Sequence, residues 1–188
     1  MRKDKKEVNA IVLDILLNGR SDDPRSSTFK REPLVQAVGV EQFKLLELMP
    51  KHLDIAIGET VYIGGGERKV IERVKRRISY EDLTRGAAQE LPFVLTKIVT
   101  EREQEYVDFY NKAISITPKL HMLSLLPGIG KKLMWEIIEN REKKPFESFV
   151  DISERIKQLP RPEKPIVNRV IQELKEHDSI KYCLFTAR

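Results

Sequence analysis

The stretch "LSLLPGIGKKLMWEII", residues 123–138, decides the fold of the C-terminal half of this chain. Gly128 and Gly130 separate two apolar segments of helical spacing, and two lysines follow the glycines. A reversal this tight favours residues that tolerate positive φ, and we expect both glycines to adopt it. Ile129 between them should point into the core. The stretch therefore predicts two helices joined by a short glycine turn.

The second of these helices should begin with main-chain N–H groups that face solvent. The first amides of a helix lack intrahelical acceptors and lie at the positive end of the helix dipole, which suits a phosphate group. Lys131 and Lys132 would add charge attraction. The alternative is a turn that only connects two helices. We expect a phosphate site formed by Gly128, Ile129, Gly130, Lys131 and Lys132.

This stretch resembles the helix-hairpin-helix motif, whose pattern is apolar, any residue, Gly, apolar, Gly and then an apolar helix. The matching residues are Leu126, Gly128, Ile129 and Gly130, with Ile137 and Ile138 as the closing apolar pair. The resemblance implies binding to DNA or RNA phosphates without base reading, and some members hold a monovalent cation. The motif usually has a small residue where this chain has Met134, which implies wider spacing of the two helices.

A second copy of the motif is expected downstream, because such hairpins commonly occur in pairs. The segment QLPRPEK, residues 158–164, repeats the Leu-Pro pair of the first hairpin before another helix. Arg161 and Glu163 stand where the hairpin glycines would be. We interpret this segment as a degenerate unit that completes the core, with Arg161 as a possible phosphate contact.

The N-terminal half contains short apolar runs of strand length. They cover residues 10–17, 34–38, 43–49 and 61–63, and glycine or proline follows or precedes each run. Without a long helix between them, these runs predict a small antiparallel barrel or sandwich. The glycines at 64–66 could cradle a nucleotide phosphate, but the Walker pattern is absent and a strand turn is the simpler interpretation.

A ribbon of basic residues follows this glycine run, in the segment RKVIERVKRR at residues 68–77. Residues 70–80 fit both helical and strand spacing, and we favour a strand. Either geometry gives a positive stripe that could attract a nucleic-acid backbone, although a solvated charged face is the alternative. Tyr62 and Tyr80 could stack on bases or pack in the sheet. The basic residues are Arg68, Lys69, Arg73, Lys75, Arg76 and Arg77.

The second half of the chain has helical periodicity. Residues 82–113 predict helix, with Pro92 at a first turn or a break. Thr117 is expected to cap the first hairpin helix ahead of Pro118. A capping box at Ser148 and Asp151 opens the next helix. Residues 162–177 predict a further helix and residues 182–185 a short final strand. Trp135 should pack on a neighbouring helical segment, or else stack on a ligand.

Charge is segregated along the chain. The net charge is +5, and residues 61–85 hold 7 basic against 4 acidic residues, whereas residues 86–117 hold 3 against 5. Such segregation favours a polyanionic partner. No apolar run is long enough for a membrane span, and the single Cys183 fits a reducing cytoplasm. We expect no membrane partner and no cofactor.

No residue pattern predicts catalysis. Asp14, Asp22 and Asp23 are the N-terminal carboxylates that could gather around a metal, but their spacing supports no convergent site. The histidines lack partners at metal-ligand spacing. They are His52, His121 and His177.

Five stretches together resemble an archaeal family called domain of unknown function 655. They read VLDILLNGRSDDPR, RRISYEDLT, ITPKLHMLSLLPGIGKKLMWEIIE, KPFESFVDISERI and KYCLF. The resemblance implies a cytoplasmic RNA- or nucleic-acid-binding protein with an OB-like N-terminal part and helix-hairpin-helix units behind it.

The sequence as a whole therefore predicts an α+β protein. We expect an OB-like β-barrel at residues 1–81, a helical connector at 82–116 and a tandem helix-hairpin-helix domain at 117–188. The expected function is non-catalytic binding of the nucleic-acid backbone, with RNA favoured over DNA. The alternatives are an adaptor that binds a protein through the helical connector, and a metal-dependent nuclease.

Overall fold

The computed structural model describes residues 6–19, 32–177 and 179–186, and these residues form a mixed α/β structure. Their α-helices are α1 (Arg85–Glu101), α2 (Glu103–Lys112), α3 (Lys131–Lys143), α4 (Phe149–Arg155) and α5 (Glu163–Lys175). The chain divides into two compact units. The first unit comprises Met1–Val94 and Glu173–Arg188, and the second comprises Leu95–Gln172.

A five-stranded antiparallel sheet forms the centre of the first unit. Its strands are β1 (Asn9–Leu16), β2 (Leu34–Gly39), β3 (Leu45–Pro50), β4 (Thr60–Tyr62) and β5 (Ile71–Arg77), in the order β4-β1-β2-β3-β5. The four predicted runs are confirmed as strands, and so is the strand at the basic ribbon. Buried side chains of all five strands form one core together with Ile55 and Ile63, which lie outside the strands. The strand residues of this core are Ala10, Val12, Val35, Ala37, Leu46, Leu48, Val61 and Ile71.

Irregular pairing bends this sheet. The β1–β2 register shifts between Val12 and Asp14, and the β3–β5 register shifts twice. Such bulges curl a strand and interrupt the alternation of its side chains. On a regular strand Arg73, Lys75 and Arg77 would share one face, but one of the β3–β5 shifts lies between Arg73 and Arg77 and interrupts this alternation.

The loop between β2 and β3 is organised by a buried carboxylate. Glu7 accepts hydrogen bonds from the N–H groups of Glu41 (2.8 Å), Gln42 (3.0 Å) and Lys44 (3.1 Å). Phe43, inside this loop, has φ +58° and is fully buried. The predicted strand from residue 43 therefore begins later, at Leu45, because the carboxylate takes the amides that a strand ladder would use.

Helix α1 runs through Pro92, so the predicted first turn or break at this residue is wrong. Proline inside a helix removes one hydrogen bond and costs about 3 kcal/mol. The same helix buries Ala87, Leu91, Leu95 and Ile98 completely. Burial of this stripe offsets the proline cost, since each fully buried Leu or Ile side chain contributes roughly 1.5–3 kcal/mol.

Two predictions about local structure in the C-terminal half are wrong. Thr117 does not cap a helix; it ends strand β6 (Ser115–Thr117), which pairs with β7 (Leu120–His121). Residues 182–185 do not form a strand. Instead, the buried Glu173 carboxylate accepts hydrogen bonds from the N–H groups of Leu184 (2.6 Å), Phe185 (3.0 Å) and Thr186 (2.9 Å). A side chain therefore satisfies the amides that a strand partner would have bonded.

The Glu7 loop should make stability depend on pH. Burial, and next the hydrogen bond with Glu41, raise the pKa of Glu7 from 4.5 to about 7. Between these values the folded chain holds a proton that the unfolded chain has lost, so the free energy of unfolding should fall as pH rises from about 4.5 to about 7. The expected loss is on the order of 2 kcal/mol.

Urea unfolding followed by circular dichroism at a series of pH values measures this slope. Glu7→Gln cannot titrate, and it should flatten the curve between pH 4.5 and 7 relative to the unaltered chain. The pKa of Glu41 is lowered, so stability that depends on Glu41 is lost only at more acidic pH. Parallel curves for Glu7→Gln and the unaltered chain in this window would contradict the proton held at Glu7.

Candidate functional site

The glycine hairpin of the second unit is a tight turn followed directly by α3. Ile129 N–H donates to the Leu126 carbonyl at 3.0 Å, and Gly128 has φ +90°. With Pro127 before Gly128, these are the features of a type II turn, in which the third residue needs positive φ. Ile129 is only 5% exposed, which confirms that it points into the core. The predicted turn and the positive φ of Gly128 are therefore confirmed, but the predicted α-helix before the turn is wrong, because residues 115–121 form a two-stranded sheet and only a four-residue 3-10 helix follows it.

Gly130 differs from the prediction. Its φ is −77° and its ψ is 173°, so it is extended and serves as the N-cap of α3. The type II turn at residues 126–129 completes the reversal by itself, and positive φ is not needed again. The sequence did contain a signal that only Gly128 would adopt positive φ. Proline precedes Gly128 but not Gly130, and a Pro-Gly pair specifies the two central positions of a type II turn.

The first turn of α3 has no acceptor for its amides. Gly130 offers no capping side chain, and in the described part of the chain no group accepts a hydrogen bond from the N–H of Lys131, Lys132 or Leu133. A Cβ built on Gly130 would meet nothing within 4 Å. The space in front of these amides is therefore open to an anion.

The other α-helices begin differently. The α4 amide of Asp151 is capped by the Ser148 hydroxyl at 3.0 Å. Thr84 Oγ1 accepts from the N–H of Ala87 in the first turn of α1 at 3.0 Å, and α2 and α5 have acidic residues in their first turns. Helix α3 has neither a capping side chain nor an acid there, and its first two residues are exposed lysines. Cations at this end of a helix oppose the dipole, so α3 begins with an uncompensated concentration of positive charge.

Buried polar groups hold the short segment before the hairpin. This segment is a 3-10 helix, Met122–Leu125, capped by His121, whose Nδ1 accepts from Leu123 N–H at 3.1 Å. Burial, and next the Arg141 guanidinium, hold the pKa of His121 below its usual value, which keeps the ring neutral and Nδ1 an acceptor. His121 is thus a structural cap.

Arg169 is a contributor to the hairpin that the sequence reasoning missed. Its side chain is only 5% exposed and donates to the Leu125 carbonyl at 3.3 Å. It also donates to Gln172 Oε1 at 3.1 Å. The guanidinium therefore places a buried cation against the last turn before the glycines. The only sequence signal was an arginine among the apolar positions of the last helix.

Met134 and Trp135 follow the lysines on α3. Met134 is buried, whereas Trp135 is 57% exposed. The prediction that Trp135 packs on a neighbouring helical segment is therefore wrong. The buried face of α3 is already filled by Leu133, Met134, Ile137 and Ile138, and Trp135 lies away from this face.

The segment at residues 158–164 connects α4 to α5. Arg161 is exposed and forms an ion pair with Glu163, with Nε at 3.0 Å from Oε1. Leu159 is buried. The Ser148 cap predicted for α4 is confirmed, although Asp151 accepts from Glu147 N–H at 3.1 Å rather than from Ser148 as in a full capping box. Phosphate contact by Arg161 stays a prediction.

The basic ribbon lies in the first unit, on β5 and the loop before it. Several of its members have structural partners. Arg68 donates from Nε to the Gly64 carbonyl at 2.9 Å, and Arg76 pairs with the buried Glu47 at 2.7 Å. Arg77 lies 3.3 Å from His177, with its Nη2 facing the ring Nε2.

The other cations of the ribbon are exposed. The side chains of Lys69 and Arg73 have no hydrogen-bond or ion-pair partner within residues 6–19, 32–177 and 179–186. Lys75 is exposed but has contacts of its own. Two tyrosines beside the ribbon also pack in the fold: Gly66 N–H donates to Tyr62 Oη at 3.1 Å, and Lys175 Nζ lies 4.9 Å from the centre of the Tyr80 ring.

The residues considered for catalysis do not form a site where the structure describes them. Asp14 accepts from the Thr84 hydroxyl at 2.5 Å and from Ile15 N–H at 2.8 Å, which ties β1 to the start of α1. Asp22 and Asp23 lie outside the described residues. His52 is exposed on a loop. Among the described residues, no group of three His, Cys, Asp or Glu side chains could hold a metal ion.

Comparison with known proteins gives three consistent matches. The model of the family described as "Protein of unknown function (DUF655)" matches residues 6–187. An uncharacterized protein of Methanocaldococcus jannaschii, MJ0038, is 46% identical over 182 residues, which cover 96% of this chain and 80% of that protein. The crystal structure of Af1531 from Archaeoglobus fulgidus, described as DUF655, is 51% identical with a TM-score of 0.89, and the match covers 96% of this chain and all of that one.

The helices were also compared with the requirements of a membrane span. Of the helices in the described residues, none has the length and apolar composition that crossing a bilayer requires.

The two hairpin glycines should respond differently to alanine. Gly128→Ala forces a side chain into positive φ and should lower the free energy of unfolding by about 1–2 kcal/mol. Gly130→Ala keeps an extended conformation in open space and should change it by less than about 0.5 kcal/mol. Urea denaturation measures both values. Equal losses at both positions would contradict the extended N-cap at Gly130.

Proposed function

We propose that this chain, which belongs to the family of proteins of unknown function DUF655, binds the sugar-phosphate backbone of nucleic acid with little sequence preference. The glycine hairpin is the contact, and the main-chain amides at the start of α3 grip one phosphate. Lys131 and Lys132 contribute charge attraction. The role is binding rather than catalysis.

One observation carries this proposal: α3 begins with open amides, no capping side chain, no acid and two exposed lysines. Each of these features disfavours an isolated helix, because orphan N–H groups need acceptors and the dipole favours negative charge. A phosphate compensates for all of them at once. Its oxygens accept from the amides, and its charge neutralises the lysines and the helix end.

The proposal concerns the backbone rather than the bases. A type II turn fixed by Gly128 and the buried Ile129 presents main-chain donors, which fit any phosphate of a strand. Phosphate contacts of this kind position a protein but carry no sequence information directly. The hairpin match to the helix-hairpin-helix pattern supports the same conclusion.

The first unit supports a second contact with the strand. Its order β4-β1-β2-β3-β5 is that of a five-stranded Greek-key barrel opened between β4 and β5. Barrels of the OB type bind oligonucleotides on strands 2 and 3 and on the loops after strands 1 and 4. Here the loop after β4 carries Lys69, and Arg73 follows on the edge strand β5, both exposed. We assign these two residues, rather than all six of the ribbon, to backbone attraction.

RNA is the proposed ligand in preference to DNA, as the resemblance noted in the sequence analysis implies. A hairpin that contacts phosphates would bind either nucleic acid, and the 2′-hydroxyl is what allows a protein to distinguish them. Titration of labelled RNA and DNA of the same sequence, under the same salt conditions, compares the two affinities directly.

Gly130→Asp tests the hairpin. The new carboxylate would cap α3 and should raise the free energy of unfolding by about 1 kcal/mol. The same carboxylate would occupy the amides, so affinity for a labelled single-stranded RNA should fall at least about tenfold, as expected for loss of one charge-assisted contact. Fluorescence anisotropy measures the affinity. A variant that is more stable but binds normally would rule out the hairpin amides as the contact.

Val150→Asp is the matched control for this variant. Val150 is exposed in the first turn of α4, so the substitution also adds one carboxylate near a helix N-terminus. Its affinity for RNA should equal that of the unaltered chain. An equal loss in both variants would show that net charge, rather than the hairpin, controls binding.

Replacement of Lys131 and Lys132 by glutamate tests the charge attraction. The double variant should weaken binding without unfolding the chain, because acids at this end of α3 are favourable to the helix. The control is the same replacement at Lys143 and Lys144, at the other end of α3. The salt dependence of the affinity gives the number of phosphates contacted. A plot of log affinity against log salt concentration should fall with a slope of about 0.7 for each phosphate neutralised on a single strand. A flat salt response would contradict backbone binding.

A further inference from the structure

Trp135 is a large apolar side chain that the fold leaves in solvent. It is 57% exposed, while the neighbouring apolar residues Leu133, Met134, Ile137 and Ile138 are at most 9% exposed. In the described parts of the chain, the Trp135 indole has no hydrogen-bond, ring or cation partner. The packing of α3 is complete without this indole.

The position of Trp135 on α3 brings it next to the hairpin. Lys131 and Lys132 precede it by four and three residues, and these spacings make side chains neighbours on a helix surface. Long side chains on a helix lean toward its N-terminus and cover the preceding turn. The indole therefore covers the turn that carries the lysines and the open amides, about 7 Å along the helix from Gly130.

Charge restricts what can lie on this indole. Lys131 and Lys132 are on the hairpin side, while Glu139 and Glu142 follow Trp135 on the other side by four and seven residues. An anionic ligand is therefore attracted to the N-terminal side of the ring and repelled from the other. A partner with a flat apolar face attached to a phosphate fits this arrangement.

From this arrangement we infer that Trp135 stacks on an unpaired base of the strand whose phosphate the hairpin holds. This inference rests on the proposed function and names its substrate class: single-stranded nucleic acid. In a duplex, the faces of an internal base are covered by its neighbours, so only an unpaired or terminal base can stack on a side chain. Stacking accepts every base, so the site remains tolerant of sequence.

Trp135 is the chain's single tryptophan, so its fluorescence reports on this contact alone. A short single-stranded oligouridylate should quench the emission of the unaltered chain. An abasic strand, with the same sugar-phosphate backbone but no bases, should bind through the hairpin and leave the emission unchanged. Equal emission with both strands bound overturns the stacking contact.

Trp135→Ala provides the binding test by fluorescence anisotropy of labelled strands. Affinity for the oligouridylate should fall about 5- to 150-fold, the range that corresponds to loss of one stacked base. Affinity for the abasic strand should not change, and Trp135→Phe should restore most of the loss. The matched control is Phe93→Ala, which removes another exposed aromatic ring, 71% exposed on α1, and should have no effect.

The outcomes separate the two proposals. If the abasic strand binds and Trp135→Ala affects neither strand, backbone binding stands and stacking is wrong. If neither strand binds the unaltered chain, the proposed function fails and stacking fails with it. Because Trp135 is exposed and alanine is a good helix former, the variant should fold normally, and circular dichroism checks this.

Discussion

The hairpin of the second unit is built around one constraint: the first amides of α3 have no acceptor among the described residues, so only water or a bound anion can satisfy them. The elements around the hairpin hold this arrangement. The Leu126–Ile129 hydrogen bond closes the turn, the Ile129 side chain anchors it in the core, and Arg169 holds the preceding carbonyl. These contacts fix the direction of the donors within the fold, and under the proposed function this arrangement would lower the entropy cost of ordering them on binding.

Buried carboxylates play the opposite role in the first unit. Glu7 and Glu173 each accept several main-chain N–H groups, and Glu47 pairs with Arg76. These acids are buried, whereas Arg169 is the buried cation among the described residues. Within the described residues, part of the acidic charge is therefore enclosed, whereas most of the basic side chains reach the surface. Acidic and basic residues are thus distributed unevenly between core and surface, as well as along the sequence.

The two clusters of positive charge differ in how they are built. In the ribbon, Arg68 and Arg76 bond to the fold, whereas the exposed side chains of Lys69 and Arg73 have no partner among the described residues. At the hairpin, both lysines are exposed and the amides add directional donors. A cluster of basic residues in a sequence therefore overstates the number of cations that can bind a partner, when some of these side chains bond to acids or carbonyls of the fold.

By itself, the sequence determined the features that depend on neighbouring residues. The strands followed from apolar runs, the turn at Gly128 from its conformational freedom, the inward Ile129 from its place between glycines, and the α4 cap from Ser148. Each is decided by local sterics or by periodicity. Tertiary structure decided what depends on distant groups. Glu173 replaced the final strand, Glu7 delayed β3, burial carried α1 through Pro92, and a filled core face left Trp135 in solvent. In each of these cases a partner far along the chain outweighed the local preference, and no local pattern encodes which distant residue that partner will be.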